Sequence, residues 1–194
     1  MANKIKYGLK NVYAAVQTYS SGSYTYATPV AIPGAVSMSL SAQGENTPFY
    51  ADDTVYYRTV ANQGYSGDLD IALIPEWFRT TILKETEDNN HVLMEKSTDI
   101  EPVYFALLFE FDGDDKAVRH VIYNCTVARP SLESQTKEAS ISPGTEKLTL
   151  TADPREDGLV KCRTGESTTT TAYNNWYSSV YEPVTGTVSQ TPSG

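Results

Sequence analysis

Two adjacent acids, Asp52 and Asp53, stand inside "FYADDTVYYRTVANQGYSG" (49–67), with Phe49, Tyr50, Tyr56 and Tyr57 around them. Paired carboxylates beside aromatic rings suggest sugar cleavage, which needs two carboxyl groups facing each other about 5 to 9.5 Å apart. Neighbouring residues of an extended chain point to opposite faces, so this pair does not supply both groups. A polar turn or loop tip is the expectation. Asp112-Gly113-Asp114-Asp115 invites a calcium reading, but an EF-hand needs a longer loop closed by a bidentate Glu. Here Lys116-Ala117-Val118 returns to strand at once, so a hairpin turn is expected instead. His91 and His120 are too isolated for a metal cluster. His120 shares a strand face with Val118 and Ile122, the setting of a structural histidine. Cys125 is expected on the opposite face of that strand, which disfavours a Cys-His nucleophile pair. No HExxH, GxSxG or Walker-type loop occurs. The chain is read as a non-enzyme with no catalytic residue, no metal site and no cofactor.

The elements that must carry these residues follow a period of two. In "AVSMSLS" (35–41), Val36, Met38 and Leu40 oppose Ser37, Ser39 and Ser41. In 68–73, Leu69, Ile71 and Leu73 oppose Asp68, Asp70 and Ala72. In 147–153, Leu148, Leu150 and Ala152 oppose Lys147, Thr149 and Thr151. Such strands have one apolar face and one of Ser, Thr and Asp. "VYFALLFEF" (103–111) is apolar on both faces and reads as a central strand, paired through a turn at 112–115 with 116–129. On that return Val121, Tyr123, Cys125 and Val127 are expected to share a face. A second hairpin is expected around Pro143-Gly144, joining 136–142 to 145–153. Only 75–85 reads as helix, with Pro75 at its first position and Phe78 and Ile82 on its buried side. Residues 18–34 read as loop.

The totals narrow the function classes. At 194 residues the chain suits one domain with a real core. A net charge of −9 argues against holding nucleic acid through its phosphates and against docking on an anionic membrane. Cys125 and Cys162 are the only cysteines, and "MANKIKYGLK" has no apolar signal region, so a reducing cytoplasm with both thiols free is expected. Residues 165–183 carry Tyr173, Trp176, Tyr177 and Tyr181 and should dock on something, whereas 184–194 is polar, uncharged and read as a flexible tail.

Several blocks in one order carry a resemblance that no single motif would. They are "GLKNVYAAV", "IPGAVSMSLSAQGE", "FYADDTVYY", "NQGYSGDLDIALIPEWF", "FALLFEFDGDDKAVRHVIYNC", "KLTLTADPREDGLVKCRTG" and "WYSSVYEP". Over about residues 5–183 the chain resembles the major tail proteins, or tail tube proteins, of long-tailed siphophages that infect Gram-positive bacteria. The Ser/Thr-rich segment after Pro183 is outside the pattern.

The resemblance implies a mainly β fold: an antiparallel β-sandwich or partial barrel with one flanking helix, formed by residues 1–183. It implies a structural virion protein, made in the host cytoplasm, whose copies form hexameric rings stacked into the tube that conducts DNA. The tape measure, tail terminator and distal tail proteins would be its partners, and DNA would pass the lumen without specific binding. Within that frame Phe49, Tyr50, Asp52, Asp53, Tyr56 and Tyr57 of loop 43–64, with Trp176, Tyr177 and Tyr181, are expected at contacts between subunits. Ser37, Ser39, Ser41, Asp68, Asp70, Thr149 and Thr151 are expected to line the lumen. The alternative is a soluble carbohydrate- or protein-binding β-sandwich from a tail tip or cell surface.

Overall fold

The alternating segments become one antiparallel sheet of nine strands. The computed structural model describes residues 3–97, 101–133 and 144–184. In chain order the strands are β1 (Lys6–Ser20), β2 (Ser23–Tyr26), β3 (Val30–Ala31), β4 (Ala35–Ala42), β5 (Asn46–Ala51), β6 (Thr54–Val60) and β7 (Tyr65–Ile71). Helix α1 (Glu76–Thr81) follows, then β8 (Thr86–Glu87), β9 (Leu93–Met94), β10 (Phe105–Gly113), β11 (Val118–Val127), β12 (Glu146–Ala152), β13 (Lys161–Arg163) and helix α2 (Thr170–Asn174). The main sheet runs β2-β1-β10-β11-β12-β7-β4, with β3 also on β1 and β13 also on β11. It is not a closed barrel: β4 ends the path, although β1 and β4 come into contact. The mainly β, sandwich-like class read from the sequence is the class observed.

The middle strands are buried on both faces, as the doubly apolar "FALLF" requires. Phe105, Leu107 and Phe109 of β10 enter one core with Leu69, Ile71, Leu148 and Leu150. Helix α1 closes that core with Phe78, whose ring meets Phe105 edge-on at 5.9 Å, and the chain beyond it adds Ile82 and Leu83. Each fully buried side chain of this size stabilises by about 1.5–3 kcal/mol. Ala106 and Leu108 point the other way, into a second core with Ala15, Val121 and Tyr123. That core is covered by Trp176 and Val180 from the C-terminal segment.

Several expectations need correcting, and backbone kinks explain most of them. Asn124 is left-handed (φ +53°), and the β10–β11 register slips between Phe105 and Leu107. This bulge turns Cys125 to the first core beside Ile122, while Val121 and Tyr123 stay with the second. Gln17 holds the kink, accepting the Asn124 backbone N–H at 3.2 Å and donating to its side-chain oxygen at 2.9 Å. A shift between Ala35 and Ser37 likewise leaves Val36 59% exposed, and Leu73, beyond the end of β7, is 71% exposed. The helix spans six residues, not 75–85; Pro75 is its N-cap and Lys84 turns left-handed (φ +58°) soon after. α2 and the short strands within 18–34 were not expected. Residues 134–143, the outgoing half of the expected second hairpin, lie outside the described residues, as does the tail from 185 on.

Candidate functional site: a projecting arm and a polar sheet face

Residues 43–64 are not a loop. β5 and β6 pair with each other alone, in a two-stranded arm apart from the main sheet. The arm's tip is Asp52-Asp53, both left-handed (φ +50° and +57°) between the paired Ala51 and Thr54. A two-residue turn with both φ values positive is the type I′ geometry, and Asp tolerates that region better than most residues. The two carboxylates therefore sit together in a tight two-residue turn at the tip. Tyr50, Tyr56 and Tyr57 are 64%, 75% and 64% exposed, and Phe49 pairs in register with Tyr57.

At its root the arm is tied to the sheet. Gln43 N–H donates to Gly64 O at 2.9 Å, Gln63 N–H to Gln43 O at 2.8 Å, and Ala61 N–H to Glu45 O at 3.2 Å. Gly64 (φ +97°) has no room for a side chain, because a Cβ there would lie 1.9 Å from Ala152 O. The hydrogen-bonded ladder thus runs from the main sheet to the tip, and the arm is a strut.

The second feature is a face. β4, β7 and β12 are consecutive neighbours, and all seven polar residues singled out on them share one side. Across the strands Ser37 stands opposite Asp70, Ser39 and Thr149 opposite Asp68, and Ser41 and Thr151 opposite Ser66. Ser37 Oγ donates to Asp70 Oδ2 at 2.6 Å, and Thr149 Oγ1 donates to Asp68 Oδ1 at 2.7 Å. Lys147 Nζ lies 3.6 Å from Asp68, so the face carries one cation beside its two acids. Ser37, Ser39, Ser41, Thr149 and Thr151 are all exposed. Among the described residues no strand pairs with the outer edge of β4, which leaves its backbone groups open to another strand.

The aromatic C-terminal residues are placed elsewhere. Trp176 is 2% exposed and its indole N–H donates to His120 O at 3.2 Å. Tyr181 stacks on Trp176 at 5.2 Å, and Tyr177 packs at a tilt against Tyr13 with ring centres 4.8 Å apart while its hydroxyl donates to Glu110 at 3.1 Å. These three rings pack on their own sheet, Trp176 fully and Tyr177 and Tyr181 in part. They are held by buried charge. Glu110, 5% exposed, also accepts from Asn11 at 2.6 Å and from Arg119 at 3.0 Å. Arg155, 7% exposed, donates to Glu182 and Asp157, each at 2.7 Å.

The other chemical candidates resolve simply. Cys125 is buried and burial pushes its thiol up to about 12, the opposite of an activated nucleophile. Cys125 packs in one core and Cys162 against the other, so the sheet separates the two free thiols. The turn expected at 112–115 lies slightly later, because β10 runs through Gly113. No group of three or more His, Cys, Asp or Glu residues is placed to hold a metal ion among the described residues. No helix among them is long and apolar enough to cross a membrane.

His120 lies flat on Phe109, with ring centres 5.1 Å apart, and burial followed by the charges of Lys161, Arg163 and Lys6 lowers its pKa to about 4. A histidine depressed when folded takes up its proton more readily when unfolded, so acid favours unfolding. Stability should therefore fall as pH drops from about 6.5 towards 4 and lose this dependence below it. Thermal melts of His120→Phe should show a flatter slope in that window than the parent; equal slopes would refute the assignment.

No protein-family model matches the chain, and no curated protein matches it.

Proposed function

We propose that this chain is a tail tube subunit of the siphophage type, a structural protein whose copies form rings and stack into a DNA-conducting tube. The observation that carries the proposal is the three-strand polar face bordered by the unpaired edge of β4. A tube needs a hydrated inner surface and a way to continue its wall from one copy to the next, and the two occur here side by side. Open sheet edges invite pairing, and a ring of copies satisfies them by closure. Hexameric rings follow from the resemblance, as do the tape measure, terminator and distal tail proteins as partners.

DNA is cargo in this reading. A lumen of hydroxyls with Asp68 and Asp70, in a chain of net charge −9, repels phosphates and lets the duplex slide. The arm is the contact between neighbouring copies, in adjacent rings by the family's pattern. Its exposed tyrosines are anchors, and its acid tip keeps them soluble until a neighbour covers them. Localisation in the virion tail follows from the same proposal.

Single cysteines at Ser39 or Thr149 test the lumen. In assembled tubes they should resist a bulky thiol reagent added outside, while remaining reactive in free subunits. Equal labelling in both states would place the face on the outer wall and sink this part.

A further inference from the structure

The rings of Phe109, Phe111 and His120 make an aromatic floor at one end of the first core, where His120 also meets Phe111 edge-on at 5.3 Å. Three cations border it. Lys6 Nζ stands 5.1 Å from the centre of the Phe111 ring, and Arg163 is the cross-strand partner of His120. Lys161, two residues earlier on the same strand and hence on the same face, places its ammonium 4.4 Å from the Tyr65 ring centre. None of the three forms an ion pair among the described residues. In the 112–115 turn Asp112 pairs with Lys10 and Asp114 accepts the Lys4 backbone N–H at 2.8 Å, while Asp115 and Glu166 line a cavity shared with Arg163. In a chain of net charge −9, this is a local cationic rim around an apolar floor.

The arm's tip has the complementary chemistry: Asp52 and Asp53 side by side, with Tyr50 64% and Tyr56 75% exposed next to them. Within one copy no ion pair or ring contact joins the tip to this patch among the described residues. The six residues of β5 extend about 20 Å. Lys161 lies against Tyr65, the residue after Gly64 at the arm's root. An arm of that length rooted beside the patch can place its tip at some distance from it. A second copy offers the same patch to that tip.

We propose that the arm tip of one copy docks on the Lys6–Lys161–Arg163 patch of a second copy, with Asp52 and Asp53 against the cations and Tyr50 and Tyr56 towards Phe111 and His120. This rests on the reading of the arm as a contact between copies and names the surface that receives it. Long-range attraction between the two patches should also make association salt-sensitive.

The test is a charge exchange in the full-length chain, followed by light scattering and sedimentation. Asp52→Lys with Asp53→Lys, and separately Lys6→Glu with Arg163→Glu, should each raise the concentration needed for assembly at least tenfold. Each variant repels its own kind. Mixed one to one, they should assemble within about twofold of the parent, because every tip then meets a patch of opposite sign. That rescue also shows that neither variant failed through misfolding. Normal assembly of the Lys6/Arg163 variant while arm deletion still blocks assembly would overturn the landing surface and spare the arm's role. Failure of the mixture to recover, with both variants melting like the parent, overturns the pairing. Normal assembly without the arm, or a parent that stays monomeric, overturns both.

Discussion

Deleting residues 47–60 and closing the gap with a short turn should leave a folded, soluble monomer that no longer assembles. Among the described residues β5 and β6 pair only with each other, and none of their described side chains belongs to either buried core, so the body should fold without the arm. The melting temperature should stay within a few degrees of the parent. Assembly should fall by orders of magnitude, because aromatic residues near the centre of a contact carry most of its energy. Tyr50, Tyr56 and Tyr57 are exposed aromatic residues on the arm. Sedimentation with circular dichroism reads both quantities at once. Tubes of normal length from the deleted chain would refute the arm's role, and loss of fold would show that the arm supports the body.

Trp176→Ala should have the opposite profile, with a large loss of stability. The indole is buried in the second core with Val121, Tyr123 and Leu108 and donates to His120 O. Removing a buried Trp side chain costs about 3–5 kcal/mol, from lost burial and the cavity left behind. The freed His120 carbonyl adds to that loss unless water reaches it. Urea unfolding should show a free-energy loss of that size, read as the midpoint shift multiplied by the m value. A change below about 1 kcal/mol would mean that the C-terminal segment is dispensable for the fold, and would reopen Trp176 as a contact between copies.

What the sequence reveals of this protein follows from where period two survives. β7 and β12 alternate without interruption up to Ile71 and Ala152, so their buried and exposed residues were legible, and with them the polar face. β1 is a 15-residue strand whose alternation is broken by left-handed Gly8 and Asn11, which switch its faces, so it stayed hidden. The same kind of kink at Asn124 misplaced Cys125. The arm was half-visible. Its aromatic and acidic content was plain, but Asp-Asp lacks the glycine that usually announces a two-residue turn. Two apolar-rich runs separated by just those two residues were the available signal. The fate of Trp176 and the gathering of Lys6, Lys161 and Arg163 were illegible for another reason. Both depend on strands far apart in the chain being brought together, which no local pattern encodes.

The central claim is that copies of this chain build a hollow tube, and electron microscopy of the concentrated, purified protein measures it directly. The account predicts regular tubes or stacked rings with an open lumen, lined by the Ser37–Thr149 face. Solid filaments, closed dimers, or monomers alone at every concentration would contradict it.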